Sequence, residues 1–143
     1  MAEVRVLRPP CYVFDTSSLI KVEKSGGLHR MPDYPGKWLV VPSKVARQLD
    51  SERAPRETKR WLSNGNVASF SGDGETVLYM RLRVQEKLLE DPDIQGIVIA
   101  HHRKGTYVVE EELASRVAQS LGVRTLKTER FLEEIMPRLP GFG

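Results

Sequence analysis

Tyr12-Val13-Phe14-Asp15-Thr16-Ser17-Ser18-Leu19-Ile20 is the stretch from which the rest of the chain can be read. The run from Cys11 to Phe14 is apolar without alternation, the pattern of a strand covered on both faces, and it stops on an acid. Thr16, Ser17 and Ser18 then offer capping hydroxyls ahead of Leu19, Ile20 and Val22, which predicts a short helix. A carboxylate at the tip of a buried strand must be paired, bound to a metal, or used to cap the helix that follows.

The same change of period recurs downstream. Trp38-Leu39-Val40-Val41 reads as a second buried strand, after loops at Gly26-Gly27 and at 31–36, and Ser43 is the expected N-cap of the helix behind it. Pro55 opens a helical piece through Trp61, and Asn64-Gly65 turns the chain into a third strand, Val67 to Phe70. Ser71-Gly72-Asp73-Gly74 reads as a loop; it lacks the Lys-Ser/Thr pair of a phosphate loop. Val77, Met80, Val84 and Leu88 recur at helical spacing with Leu78, Leu82 and Leu89, the kind of apolar stripe that faces a core. Asp91-Pro92 reads as an N-cap followed by proline, opening a helix with Ile94, Ile97 and Val98 that ends at Gly105. Tyr107-Val108-Val109 is a fourth strand, Glu110 to Ser120 a helix closed by Gly122, Val123 to Leu126 a fifth strand, and Thr128 to Met136 the last helix.

Strands separated by helices predict an α/β fold: a mainly parallel five-stranded sheet with helices on both faces. The 143 residues fit a single domain, expected at 11–136 between an N-terminal extension, 1–10, and a C-terminal tail, 137–143. One cysteine, Cys11, excludes an intrachain disulfide and reads as a buried, inert thiol. No apolar run approaches a membrane span and the N-terminus has no signal-peptide core, so a cytoplasmic protein is the expectation. The net charge of +3 permits a nucleic-acid partner without arguing for one. Two basic groups, Lys44, Arg47, Arg53, Arg56, Lys59 and Arg60, and then Arg81, Arg83 and Lys87, read first as solvated helix faces.

In a parallel sheet, ligands sit at the carboxyl ends of the strands. Asp15 ends the first strand; Glu110, Glu111 and Glu112 follow the fourth; Asp91 and Asp93 open the preceding helix; Gln48 and Asp50 lie on the helix after the second. Carboxylates from distant segments therefore gather at one edge. Helix-dipole stabilisation accounts for Asp93 and the three glutamates without any function, although three acids in a row exceed what capping needs. His101 and His102 are adjacent, so they cannot share a helix face, and both read as structural or surface histidines.

These motifs, in this order, resemble the PIN-domain nucleases. Tyr12 to Ile20 is similar to their opening strand and first acid, Val41-Pro42-Ser43-Lys44-Val45-Ala46-Arg47-Gln48-Leu49 to their second motif, Asp93 to Ala100 to their third, and Tyr107 to Ala114, continued through Ala118 and Leu121-Gly122-Val123, to their fourth. The likeness runs from about residue 11 to 132. It implies a divalent-metal-dependent ribonuclease that uses Mg2+ or Mn2+ to hydrolyse RNA phosphodiester bonds. It also implies the toxin of a toxin–antitoxin pair, with an antitoxin or other protein partner and a homodimer. By position, Asp15, Asp93, Glu110 and Glu111 are the catalytic acids, with Asp15, Asp93 and Glu110 on the metal and Thr16, Ser17 and Gln48 supporting them. The chain departs from the pattern twice: the second acid, normally glutamate, falls on Gln48, and the fourth, usually aspartate, is glutamate. Asp50 or Glu52 can replace the missing charge only if their helix is displaced. Gln48 motivates the rival expectation, a PIN-like domain weakened in catalysis that serves as an RNA- or protein-binding scaffold.

Overall fold

In the computed structural model, residues 11–25, 39–51 and 67–135 are described. The order of elements is β1 (Tyr12–Phe14), α1 (Thr16–Lys24), β2 (Leu39–Pro42), α2 (Ser43–Ser51), β3 (Val67–Ala68), α3 (Asp73–Gln85), α4 (Asp91–Arg103), β4 (Thr106–Val108), α5 (Glu112–Ser120), β5 (Arg124–Leu126) and α6 (Thr128–Ile135). The expected loops at 26–36, the helix from Pro55, the Asn64-Gly65 turn, Trp38, Glu52, Met136, Arg53, Arg56, Lys59, Arg60 and the flanks at 1–10 and 137–143 lie outside the described residues, as does the side chain of Asp50.

All five strands are parallel, in the order β3-β2-β1-β4-β5. The chain winds outward from β1 to β3, then returns to the other side of β1 for β4 and β5. With right-handed crossovers, that reversal puts helices on opposite faces and opens a crevice beyond the carboxyl ends of β1 and β4. The three central strands, β1, β2 and β4, divide their residues between two cores. Tyr12, Phe14, Val41 and Val108 pack with α1, α2 and α6 through Leu19, Val22, Val45, Leu49, Phe131 and Ile135. Val13, Val40, Tyr107 and Val109 pack with α3, α4 and α5 through Tyr79, Leu82, Ile97, Val98, Ala114 and Val117. Burial on both faces is why these strands read as unbroken apolar runs.

Several local expectations are corrected. The segment 71–74 is not all loop: α3 begins at Asp73 behind Gly72, because Glu75 folds back and accepts hydrogen bonds from the Ser71 N–H and hydroxyl. Ser43 lies inside α2 instead of before it; the buried Gln95 side chain reaches from α4 to accept from the Lys44 N–H at 2.7 Å and to donate to Ser43 Oγ at 2.9 Å. The third strand stops at Ala68, where its pairing with β2 ends. The N-cap of α4 is Glu90, one residue before the expected Asp91, with Pro92 in the first turn. Lys104, at φ 55, is the left-handed residue that ends α4, and Gly105 is needed for a different reason: a Cβ there would meet the Cys11 carbonyl at 2.9 Å. Gly122, at φ 79, does take the left-handed position after α5. Cys11 is half-buried, and desolvation raises its thiol pKa against the opposing charge of Arg103.

The largest correction concerns α3. Its buried residues are Glu75, Tyr79 and Leu82, whereas Val77, Met80 and Val84 are 68%, 59% and 71% exposed and Leu88, just beyond the helix, is 87% exposed. The periodic stripe was genuine but faces outward, because Tyr79 and Leu82 already fill the space over the sheet.

Gly96 is the tightest point between α4 and the sheet: a Cβ built there would come within 2.9 Å of the Tyr107 ring. Gly96→Ala is therefore expected to lower the urea midpoint by the equivalent of ~1–3 kcal/mol, the usual cost of overpacking. Gly72→Ala, where a methyl meets nothing within 4 Å, is expected to cost much less. Equal midpoints for Gly96→Ala and the parent would show that α4 can move away from the sheet at no cost.

Candidate metal centre

Asp15 occupies the first position after β1 and is 4% exposed. Its backbone is extended, so it leaves the strand as the N-cap of α1. Oδ1 accepts from the Ser18 N–H at 2.7 Å, and Oδ2 accepts from the Glu110 N–H at 3.3 Å. The cap is thus a carboxylate, not one of the hydroxyls. The Ser18 hydroxyl instead donates to the Val108 carbonyl at 2.8 Å, which binds α1 to β4. Burial pushes the Asp15 pKa up, the Ser18 and Glu110 donors pull it back, and the Glu110 charge adds to the rise.

Asp93 lies in the first turn of α4, where it forms a capping box with Glu90, Oδ2 accepting from the Glu90 N–H at 3.2 Å. Desolvation is the main reason its pKa is raised to about 6, with the charges of Asp15, Glu111 and Glu90 pushing the same way and the Glu90 N–H opposing. Glu111 is the N-cap of α5 and accepts from the Leu113 and Ala114 N–H groups at 3.0 and 2.6 Å.

These three acids line one cleft, about 270 Å3, together with Thr16, Ser17, Gln48, Leu88 and Glu90. The cleft lies at the crevice that the topology predicts. Glu110 is not among its lining. Its carboxylate turns aside to Lys21 at 2.7 Å and to the Thr128 N–H at 3.2 Å. Burial raises the Glu110 pKa, but the Lys21 ammonium and the Thr128 donor outweigh it and leave the group below its ordinary value. The structure therefore brings Asp15, Asp93 and Glu111 together and gives Glu110 to an ion pair, while Glu112 is exposed in the first turn of α5. Gln48 does reach the cleft, and its side-chain oxygen accepts from the Thr16 hydroxyl at 2.8 Å.

Sequence reasoning did not name Glu90 or Leu88 as lining residues, nor Lys21 as the partner of Glu110. Glu90 had a signal, as the acid directly before Asp91-Pro92. Lys21 and Glu110 are 89 positions apart, and nothing local links them. His101 and His102 are exposed at the far end of α4 from Asp93. A larger cavity, about 430 Å3, lies between the end of α4 and β5, lined by His101, Lys104, Thr106 and Arg124 among others. Among the described residues its lining has no acid, so of the two it is the smaller cleft whose oxygen donors suit a hard cation.

As donors, Asp15, Asp93 and Glu111 fit Mg2+ or Mn2+, which take oxygen ligands and keep several waters. Among the described residues, no three acid, histidine or cysteine side chains stand close enough together to hold a metal ion as placed, so the three acids would have to draw in around one. The carboxylates repel one another across an open cleft, and the raised pKa of Asp93 is the signature of that repulsion added to burial.

A family model described as a PIN domain matches residues 11–132. The chain belongs to the PIN-domain family. A search of curated proteins finds no match. No helix among the described residues is long and apolar enough to cross a membrane.

The Asp93 shift has a definite sign. The folded pKa lies above that of an unfolded aspartate, so between about 4 and 6 the native state holds the proton more tightly and stability falls as pH rises. Asp93→Asn keeps a capping acceptor and removes the charge. In chelator, urea midpoints of parent and Asp93→Asn are expected to agree near pH 4 and to diverge above pH 6, with the variant the more stable. A gap that does not change with pH would mean that Asp93 titrates normally.

Proposed function

We propose that this PIN domain is a divalent-metal-dependent endoribonuclease whose working acids are Asp15, Asp93 and Glu111. PIN domains are a nuclease-type fold. The observation that carries the finer reading is the convergence of those three acids in one cleft, each supplied by a different element. Asp15 and Asp93 hold the cation, and Glu111 holds it or the water beside it. A bound Mg2+ or Mn2+ supplies an activated water and charge neutralisation at the scissile phosphate. Around it, Ser17 offers a hydroxyl to a phosphate oxygen or to water, Thr16 gives its proton to Gln48 and keeps lone pairs for a water, and Leu88 gives the rim an apolar edge. Glu110 holds Lys21 in place and, through its backbone N–H, orients Asp15. Among the described residues the cleft lining has no lysine or arginine, so of these only cations outside it can grip the backbone phosphates. Arg47 and Arg81 are exposed and suit that role, whereas Arg83 is engaged with Asp91 at 3.3 Å.

The scaffold reading keeps one specific support. Gln48 supplies no charge where the family pattern has an acid, and its oxygen is already bonded to Thr16. A weak, manganese-favoured activity reconciles both. In single-turnover cleavage of a mixed RNA pool, Asp15→Asn is expected to lower the rate by at least ~100-fold, since groups that merely support a metal ligand are worth ~10–100-fold. Asparagine can still cap α1 with its one oxygen but turns its amide nitrogen toward the Glu110 N–H, so a thermal melt of the variant is run beside the assay to separate lost chemistry from lost folding. Gln48→Glu should tighten Mn2+ binding about tenfold, or ~1.4 kcal/mol. Equal activity in parent and Asp15→Asn would leave the scaffold reading in its place.

The outward stripe on α3 supports a homodimer. Val77, Met80 and Val84 follow the 3-4 spacing of a coiled-coil seam. An antiparallel two-fold pairing of α3 with its copy sets the acidic Asp73 end of one beside the Lys87 end of the other, and brings the second copy to the Leu88 rim of the cleft. Light scattering should report a dimer for the parent and a folded monomer for Val84→Asp. A monomeric parent would assign the stripe to another protein partner, such as an antitoxin peptide.

A further inference from the structure

Tyr107 is fully buried, yet its hydroxyl has no hydrogen-bond partner. A buried phenol without a partner costs roughly 1–3 kcal/mol relative to phenylalanine, so its position calls for a reason. The β1–β4 register pairs Tyr107 with Val13, and both side chains belong to the core on the α4 side. Asp15, two residues beyond Val13, leaves β1 with extended backbone and so starts from the same face. The Tyr107 ring tip rests on α4 at Gly96, where the hydroxyl lies 3.1 Å from a Cβ position that glycine leaves empty. Gly96 is three residues after Asp93, on the same side of the helix. The hydroxyl therefore reaches from β4 to α4 on the face of the sheet from which Asp15 starts, one helical turn from Asp93. Burial raises its pKa well above the ordinary value, and the charges of Asp15, Asp93 and Glu111 all add to that rise, so the group remains a protonated donor.

We infer that Tyr107 is a positioning residue of the acidic cleft, whose hydroxyl fixes the Asp15 and Asp93 carboxylates for a divalent cation through one bridging water. The water accepts from the phenol and donates once to each carboxylate, which gives it the three partners typical of a buried water. That arrangement turns the idle donor into a support for both ligands and eases their mutual repulsion. Glycine at 96 is what admits the hydroxyl to this place. The inference rests on the metal-site reading above.

Tyr107→Phe removes only the hydroxyl. Mn2+ titration followed by electron paramagnetic resonance, with thermal melting of the ion-free protein, separates the possible roles. The expected result is Mn2+ binding about tenfold weaker, the loss typical of a removed group that orients metal ligands, in an ion-free protein that still melts cooperatively. A purely structural hydroxyl would instead lower the Tm and leave the affinity alone, which overturns the inference. Equal affinity, within about twofold, in a parent that binds Mn2+ overturns it too and leaves the metal-site reading intact. A parent that binds no Mn2+ overturns both.

Discussion

Everything at the carboxyl end of this sheet hangs on the Asp15 carboxylate. One of its oxygens starts α1 and the other holds the Glu110 N–H, so a single side chain fixes where β1 stops and how the chain leaves β4. The Ser18 hydroxyl closes the same junction by donating to Val108. Because the anchor is itself an anion at 4% exposure, whatever surrounds it must either supply donors or tolerate charge. The fold does both: donors on the side of Glu110 and Ser18, further acids on the side of Asp93 and Glu111.

That division explains the different fates of two adjacent glutamates. Glu110 stands beside Lys21 of α1 and the start of α6, where a cation and a backbone donor await it. Glu111 caps α5 and lines the cleft with Asp15 and Asp93. The Lys21–Glu110 pair is open to solvent on the lysine side, so its direct contribution to stability is small. Its larger effect is to remove one negative charge from a cleft that already has three acids and Glu90 in its lining.

The strands and the cleft were legible in the sequence because parallel strands buried on both faces leave unbroken apolar runs, and because a strand that ends on an acid is conspicuous. Asp15, Asp93 and the Glu110–Glu111 pair could be proposed from their positions and the resemblance, but the resemblance puts Glu110 on the metal, and it is Glu111 that lines the cleft. The direction of the α3 stripe could not. Helical spacing shows that Val77, Met80 and Val84 share a face, but which face meets the sheet depends on Tyr79 and Leu82 and on the anchoring of Glu75 by Ser71. The Gln95 side chain that satisfies the start of α2 was equally out of reach, since it comes from a residue about 50 positions away, with Lys44 and Ser43 as its partners. Long-range partners decided these details, and a single sequence carries no mark of them.

Capping and metal binding, which the sequence set up as competing explanations for each acid, prove to be compatible uses of the same groups. Asp15, Asp93 and Glu111 each accept backbone N–H bonds at the start of a helix, and each lines the cleft. An ionised carboxylate has about four lone-pair sites, so one or two capping bonds leave room for a cation. Helix starts also place partial positive charge behind each acid, which lets the acids stand near one another without an ion. The compensation is incomplete at Asp93, whose pKa is raised to about 6 mainly by burial, with the neighbouring acids adding to the rise. Under the proposed function, a cation bound there would relieve the repulsion among these acids and favour their charged forms, so the cost they carry in the ion-free fold would return as affinity for the ion.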